Sequence, residues 1–166
     1  MPVDFFQSYR SRNRTPFCPI VSYPCSQAVN LEGVTRSCYF EVRINFMDSR
    51  LREGINLFNE GRFFESHEVC ETLYREAEEQ DKPFLEGLVQ LSAACRMIAD
   101  FGEIKGPVKL IYQALIRFEN YQPTYSGVKV ADLITAMESW AKELEAGRIK
   151  DPKPIPRIPL RRFHFF

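Results

Sequence analysis

The most constraining feature of this sequence is an apolar pattern of helical period that runs from Asp48 to Gly147 with few interruptions. Apolar residues recur three, four and seven positions apart, which places them on one face of an α-helix. No segment of this stretch alternates apolar and polar residues for long enough to predict a strand. The pattern therefore predicts an all-α fold, a compact antiparallel bundle of about five helices arranged as consecutive helical hairpins.

The ends of these helices carry residues with known capping preferences. Asp48 or Ser49 is expected to cap the first helix, and Gly61 can end that helix in the left-handed conformation. The second predicted helix covers about residues 62–79. The third follows Asp81 as its cap and has Pro83 in its first turn. The fourth begins at Pro107, and the fifth ends at Gly147. The core is expected along one stripe in each helix. In chain order the stripes are Leu51, Ile55 and Phe58; then Phe63, Ser66, His67, Cys70, Leu73 and Tyr74; then Leu85, Leu88, Leu91 and Ile98; then Val108, Ile111, Leu115 and Phe118; and last Leu133, Met137, Trp140 and Leu144.

Both ends of the chain differ in character from this helical domain, which we place at residues 47–147. Residues 1–46 lack a sustained period and predict a disordered extension, an organelle-targeting peptide, or a stretch upstream of a true start at Met47. Residues 148–166 hold four prolines and cannot be helical, so we expect a disordered, extended, basic tail. Within the tail, residues 156–161 fit the pattern P-x-x-P-x-R, which is common by chance and also typical of ligands for peptide-binding domains.

The charge distribution limits the classes of partner. The whole chain carries 22 basic and 22 acidic residues, but residues 47–147 carry 11 basic against 18 acidic, a net charge of −7. That acidity argues against a nucleic-acid partner, and the absence of a long apolar run argues against a membrane span. A protein partner or a second copy of the chain stays possible.

The cysteine pattern bears on the compartment. The five cysteines form no C-x-x-C spacing, which favours a reducing compartment. We expect the cytoplasm, or a plastid if residues 1–46 are a transit peptide.

The densest polar group within the apolar pattern lies on the second predicted helix. His67 and Glu71 are four residues apart and can meet on one helix face, with Glu68 beside them. The segment reads H-E-V-C-E, so it lacks the second histidine of the zinc-protease pattern H-E-x-x-H. A looser site is possible, in which His67, Glu71 and Glu86 bind a divalent ion such as Mn, Fe or Zn and Glu68 acts as general base. In the competing interpretation, His67 and Glu71 are a structural pair facing the core.

Two linked motifs resemble the bacterial and plastid family called domain of unknown function 309. The first is L-F-N-E-G-R-F-F-E-S-H-E over residues 57–68, followed by Glu71 and Tyr74, and the second is F-L-E-G-L-V-Q over residues 84–90. The resemblance covers about residues 48–120 and implies a small all-α bundle of unestablished role, with some indication of a metal-dependent hydrolase. The family positions that carry over are Glu65, His67, Glu68, Glu71, Gly87 and Gln90.

This chain departs from the family pattern at several positions. Ser66 stands where Ala is usual, Tyr74 where Trp is usual, and Glu86 where Gln is common. Many members also carry a histidine late in the third helix, where this chain has Arg96 and Met97. Two functions therefore stay open: a protein- or ligand-binding module with a structural His67–Glu71 pair, and a metal-dependent hydrolase.

Overall fold

The apolar stripes form five α-helices in the computed structural model, which describes residues 47–149 and 151–161. The helices are α1 Ser49–Asn59, α2 Phe63–Glu76, α3 Lys82–Phe101, α4 Lys105–Phe118 and α5 Val130–Glu145, and a 3-10 turn, Glu119–Tyr121, follows α4. The described residues contain no strand, only two isolated bridges, Tyr125 with Val128 and Val128 with Leu160. The predicted all-α class and number of helices are confirmed. Our predictions for residues 1–46 lie outside the described residues.

Each helix packs chiefly on its neighbours along the chain, α1 on α2, α2 on α3, α3 on α4 and α4 on α5. The buried side chains come from the predicted stripes and include Leu51, Ile55, Phe58, Cys70, Leu88, Leu91, Ile98, Ile111, Leu115, Phe118, Leu133, Met137 and Leu144. No helix in residues 47–149 or in residues 151–161 is long and apolar enough to cross a membrane.

Both ends of α1 follow their predicted capping residues. The Asp48 carboxylate accepts from the Arg50 N–H at 2.8 Å, and Gly61 has a φ of +84°, as predicted. Asp81 precedes α3, but its carboxylate accepts from the Tyr125 hydroxyl and makes no bond to a helix N–H. The carboxylate therefore ties α3 to the segment before α5.

Two helix boundaries differ from the prediction. Helix α2 ends at Glu76 and not near Glu79, because Glu76, Glu78 and Glu79 would crowd negative charge at the negative end of the helix dipole. Helix α4 begins at Lys105, two residues before Pro107. The missing N–H of Pro107 costs nothing there, since the N–H groups of the first turn have no partner within the helix.

Residues 151–161, which we name the C-terminal strap, lie in extended conformation against the helical body. Ile158 is 3% exposed, the Lys129 N–H donates to the Pro159 carbonyl, and the Arg161 N–H donates to the Gly127 carbonyl, both at 2.9 Å. The structure differs here from the expected disordered tail, because these backbone groups and one apolar side chain find partners on the body. Residues 162–166 lie outside the described residues.

Candidate metal centre

Helix α2 brings three possible metal ligands together on one side. His67, Glu68 and Glu71 each offer an atom, and these three atoms lie within 4.8 Å of one another. The spacing of three and four residues along a helix places such side chains on adjacent rows. The His67 side chain is 27% exposed and that of Glu71 is 35% exposed, so the group lies at the edge of the α2–α3 interface and is open to solvent.

The orientation of the His67 ring is set by the neighbouring helix. Nδ1 of His67 lies 3.2 Å from the backbone carbonyl oxygen of Val89, on α3. Because a carbonyl only accepts hydrogen bonds, Nδ1 carries the proton and donates. In the neutral ring, Nε2 is then the unprotonated nitrogen with a free lone pair. Nε2 lies 3.7 Å from Oε2 of Glu71, so the lone pair is on the carboxylate side of the ring.

The two oxygens of the Glu71 carboxylate have different neighbours, one of them cationic. Its Oε1 accepts from the Arg75 guanidinium at 2.5 Å, while its other oxygen, Oε2, is the one near His67. Arg75 is one helical turn after Glu71 and is 70% exposed. The ion pair holds the carboxylate in one orientation and leaves Oε2 as the oxygen available to a ligand.

Glu68 completes the group from the solvent side. Its side chain is exposed, and its backbone carbonyl accepts the Thr72 hydroxyl at 2.9 Å. An exposed carboxylate on a helix can rotate with little cost, so Glu68 is able to turn toward an ion near His67 and Glu71.

Glu86 is not part of this group, although the sequence placed it among the metal ligands. Its Oε1 accepts from the Arg117 guanidinium of α4 at 2.7 Å and lies 3.4 Å from Nε2 of Gln90. Helix α3 packs on both α2 and α4, and Glu86 lies on the side that meets α4. A period of 3.6 residues identifies the helix but does not tell which neighbour each face meets.

The other family positions have structural surroundings. Gly87 is buried, and a Cβ built on it would lie 2.7 Å from the Phe118 ring. Gln90 is half-buried, and its Oε1 has no hydrogen-bond partner among the described residues. Tyr74 is half-buried on α2. These positions shape the contacts of α2, α3 and α4.

Glu65 and Ser66 precede the metal group on α2. The Glu65 carboxylate accepts a hydrogen bond from Arg62 at 3.1 Å. The pKa of this carboxyl is lowered, mainly by a hydrogen bond from its own backbone N–H and secondly by the bond from Arg62. Ser66 is 1% exposed, and its hydroxyl lies 3.2 Å from that of Ser92. The pair satisfies both buried hydroxyls between α2 and α3.

Cys70 is poorly suited to nucleophilic chemistry despite its place one turn after Ser66. Burial raises the pKa of the Cys70 thiol to about 12, and a hydrogen bond with Ser66 only partly opposes the shift. The reactive form of cysteine is the thiolate, which is scarce near neutral pH at such a pKa. Cys70 is therefore better described as a small buried apolar residue of α2.

Two features of the site were not found from the sequence. Arg75 could have been found, because it follows Glu71 by four residues and such pairs are common on helices. The Val89 carbonyl could not, since it is a backbone group that α3 brings to His67 through helix packing. This carbonyl is the contact that decides which ring nitrogen is available.

The donor set fits a divalent ion of the first transition series. One imidazole nitrogen and two carboxylate oxygens suit Mn, Fe and Zn better than copper(I) or clusters that need thiolates. Ligand atoms around such an ion lie about 3.5 Å apart. The His67 and Glu71 atoms are already 3.7 Å apart, so a small movement of Glu68 would complete the set.

The comparison with known protein families agrees with the resemblance of the two motifs. No curated protein matches the chain. Residues 51–110 match the model of the family described as Domain of unknown function (DUF309). The matched region runs from α1 into the start of α4 and includes His67, Glu68 and Glu71. Residues 51–110 are therefore similar to the DUF309 domain, and the candidate metal group lies within the matched region.

Proposed function

We propose that this domain binds a divalent transition-metal ion through Nε2 of His67 and carboxylate oxygens of Glu68 and Glu71. The main support is the hydrogen bond between Nδ1 of His67 and the Val89 carbonyl, because it leaves Nε2 free to bind an ion. Histidines that bind metals almost always donate the other ring N–H to a carbonyl, carboxylate or water, which fixes the tautomer and the ring.

The chemistry that such a site supports best is hydrolysis. A bound divalent ion lowers the pKa of water and supplies a nucleophile near neutral pH. Three protein ligands leave room for water and substrate. Glu68, the most exposed of the three, would give one oxygen to the ion and accept a proton from water with the other. Arg75 would keep Oε1 of Glu71 occupied, so that Glu71 offers a single oxygen.

Elemental analysis tests the metal site. Protein purified without chelator should contain close to one equivalent of Mn, Fe or Zn, and His67→Ala should lose it while keeping its helical circular dichroism. His164→Ala, which removes the other histidine of the chain, is the matched control and should keep the metal. Loss of metal in both variants, or retention in both, would refute the assignment to His67.

The rate of ester hydrolysis tests whether the protein with bound metal is also a catalyst. With bis(p-nitrophenyl) phosphate and p-nitrophenyl acetate as probes, Glu68→Gln should lower the rate of the metal-loaded protein about a hundredfold, because a general base is lost. Equal rates for wild type and Glu68→Gln would leave metal binding standing but remove the hydrolytic role of Glu68.

A second candidate function is protein binding, and exposed aromatic side chains favour it. Phe64 is 48% exposed and Phe101 is 66% exposed, and the Arg96 guanidinium lies 4.3 Å from the centre of the Phe64 ring. Large aromatic side chains and arginine are enriched at interfaces. If a second copy is the partner, sedimentation equilibrium should show association that Phe64→Ser with Phe101→Ser weakens. A monomer at all concentrations would exclude self-association.

A further inference from the structure

A cavity of about 450 Å³ lies between the C-terminal strap and the helical body. Its volume is within the range of about 300–1,000 Å³ that is usual for small-molecule sites. It does not include the candidate metal ligands. The lining residues come from the turn between α1 and α2, the end of α3 and the strap, namely Phe58, Asn59, Glu60, Gly61, Phe63, Ala99, Asp100, Lys153, Pro154, Ile155, Pro156 and Arg157.

The part of the strap that borders the cavity is held to the body by Asn59. The Asn59 amide nitrogen donates to the Ile158 carbonyl at 3.0 Å, and its oxygen accepts the Ile158 N–H at 2.7 Å. These two hydrogen bonds join the Asn59 side chain to the backbone of an extended segment, and the Ile158 side chain is buried beside them. Residues 153–157, which line the cavity, directly precede this anchor. The strap is therefore one wall of the site.

The charges around the cavity are not balanced. Its two acidic residues are already paired, Glu60 with Arg62 at 3.8 Å and Asp100 with Arg96 at 3.5 Å. Its two basic residues, Lys153 and Arg157, have no acidic partner within ion-pairing distance among the described residues. The cations available to a ligand therefore come from the strap, and they favour a negatively charged group.

The rest of the wall is apolar. Phe58 and Phe63 meet edge to face with ring centres 5.1 Å apart, and they form the inner side of the cavity. Pro154, Ile155 and Pro156 face them from the strap. Apolar walls with a few polar groups at fixed positions are the usual composition of small-molecule sites.

We propose that this cavity binds a small organic carboxylate with an aromatic or aliphatic body, whose anion pairs with Lys153 and Arg157. The apolar body of the ligand lies between the phenylalanine pair and the prolines of the strap. The site is separate from the proposed metal centre and stands on its own observations. It requires the strap to be in place, so release of the strap abolishes binding.

Nuclear magnetic resonance titration of the full chain with 4-phenylbutyrate tests the site. We expect saturable shifts that concentrate on the amides of Gly61, Ala99 and residues 153–157. The neutral 4-phenylbutyramide has the same apolar body but no charge. We expect it to bind about tenfold more weakly, which corresponds to the loss of about 1.4 kcal/mol of favourable charge interaction. No saturable shifts with the acid, or equal binding of acid and amide, would overturn the proposal.

Two double variants test whether Lys153 and Arg157 supply the positive charge that binds the ligand. Lys153→Gln with Arg157→Gln should weaken binding of the acid by about tenfold or more and leave binding of the amide unchanged. Lys105→Gln with Lys109→Gln removes two exposed cations that do not line the cavity and should bind like wild type. Equal loss in both double variants would mean that net charge, and not this site, attracts the anion.

Asn59→Ala should release residues 153–158 of the strap from the end of α1, although the bonds of Pro159 and Arg161 to the body remain. Saturable binding of both ligands should be abolished, while the shifts of α3 to α5 stay those of the folded protein. If Asn59→Ala binds 4-phenylbutyrate as wild type does, the strap is not a wall of the site and the proposal fails.

Discussion

Gly87 shows how a single residue fixes the distance between two helices. It lies on α3, where a Cβ would be 2.7 Å from Cε1 and 3.0 Å from Cζ of the buried Phe118 on α4. The Phe118 ring also packs on Phe84, with ring centres 5.5 Å apart, so it cannot retreat freely. The absence of a side chain at Gly87 therefore allows α4 to approach.

Gly87→Ala should destabilise the protein by about 1–3 kcal/mol, because overpacking in a filled core costs that much and exceeds the gain in helix propensity. Urea unfolding followed by circular dichroism measures the change. Gly106→Ala on α4 is the control, since a Cβ there meets nothing within 4 Å apart from its chain neighbours. It should cost less than Gly87→Ala, because only the restriction that Pro107 places on the preceding residue opposes it. A Gly87→Ala variant as stable as wild type would show that Phe118 repacks easily.

The residue-level predictions from sequence succeeded where local spacing decides the contact. His67 and Glu71 were predicted to meet from their separation of four, and Nε2 and Oε2 lie 3.7 Å apart. Glu86 was placed with them only because it lies on the next helix, and it contacts Arg117 instead. Rotation of a helix about its axis depends on the side chains of all its neighbours, and sequence periodicity does not specify it.

At the scale of elements, the start of α1 depends on one carboxylate. The Asp48 side chain accepts the Arg50 backbone N–H, and this hydrogen bond is the main cause that lowers the pKa of Asp48. Loss of an N-cap side chain usually costs about 1 kcal/mol. Asp48→Ala should lower the free energy of unfolding by that amount near neutral pH, as urea unfolding would measure.

The pH dependence of this contribution follows from the direction of the shift. Because the pKa of Asp48 is lower in the folded state, its carboxylate stabilises the fold above the unfolded pKa of about 3.9. The stabilisation is lost as pH falls through the lowered folded value. The difference in stability between wild type and Asp48→Ala should therefore shrink below about pH 4, and a difference that is constant with pH would contradict the cap.

Helices were easier to predict than the strap, for a physical reason. A helix satisfies its own backbone, so caps and apolar period reveal it locally. The strap satisfies its backbone through distant partners, Asn59, Gly127 and Lys129, that no local pattern announces. Its four prolines predicted extended conformation correctly. They carried no information on whether the extended segment contacts the helices.

At the scale of the whole molecule, the described residues form one unit with two separate candidate sites. Residues 47–149 and 151–161 group together, and the DUF309 match covers only residues 51–110 of them. The metal group lies on α2 inside that region. The cavity joins the region to a strap that the family model does not cover, so its anion preference belongs to this chain and not to the matched segment.

The charge separation noted in the sequence acquires a structural meaning at this scale. The net charge of −7 over residues 47–147 lies on the helical body, and the basic residues Lys153 and Arg157 lie on the strap beside it. Attraction between an acidic body and a basic segment favours the docked strap, and salt would weaken it. Sequence composition located both charges but not the cavity between them.

Anomalous diffraction from crystals grown with zinc is the most direct measurement of the central claim, that α2 binds a metal ion. We expect an anomalous peak at the zinc edge about 2.0–2.2 Å from Nε2 of His67 and from an oxygen of both Glu68 and Glu71. Nδ1 of His67 should still donate to the Val89 carbonyl. A zinc-soaked crystal with no anomalous peak beside His67, and with its ring nitrogen still against Glu71, would contradict the claim.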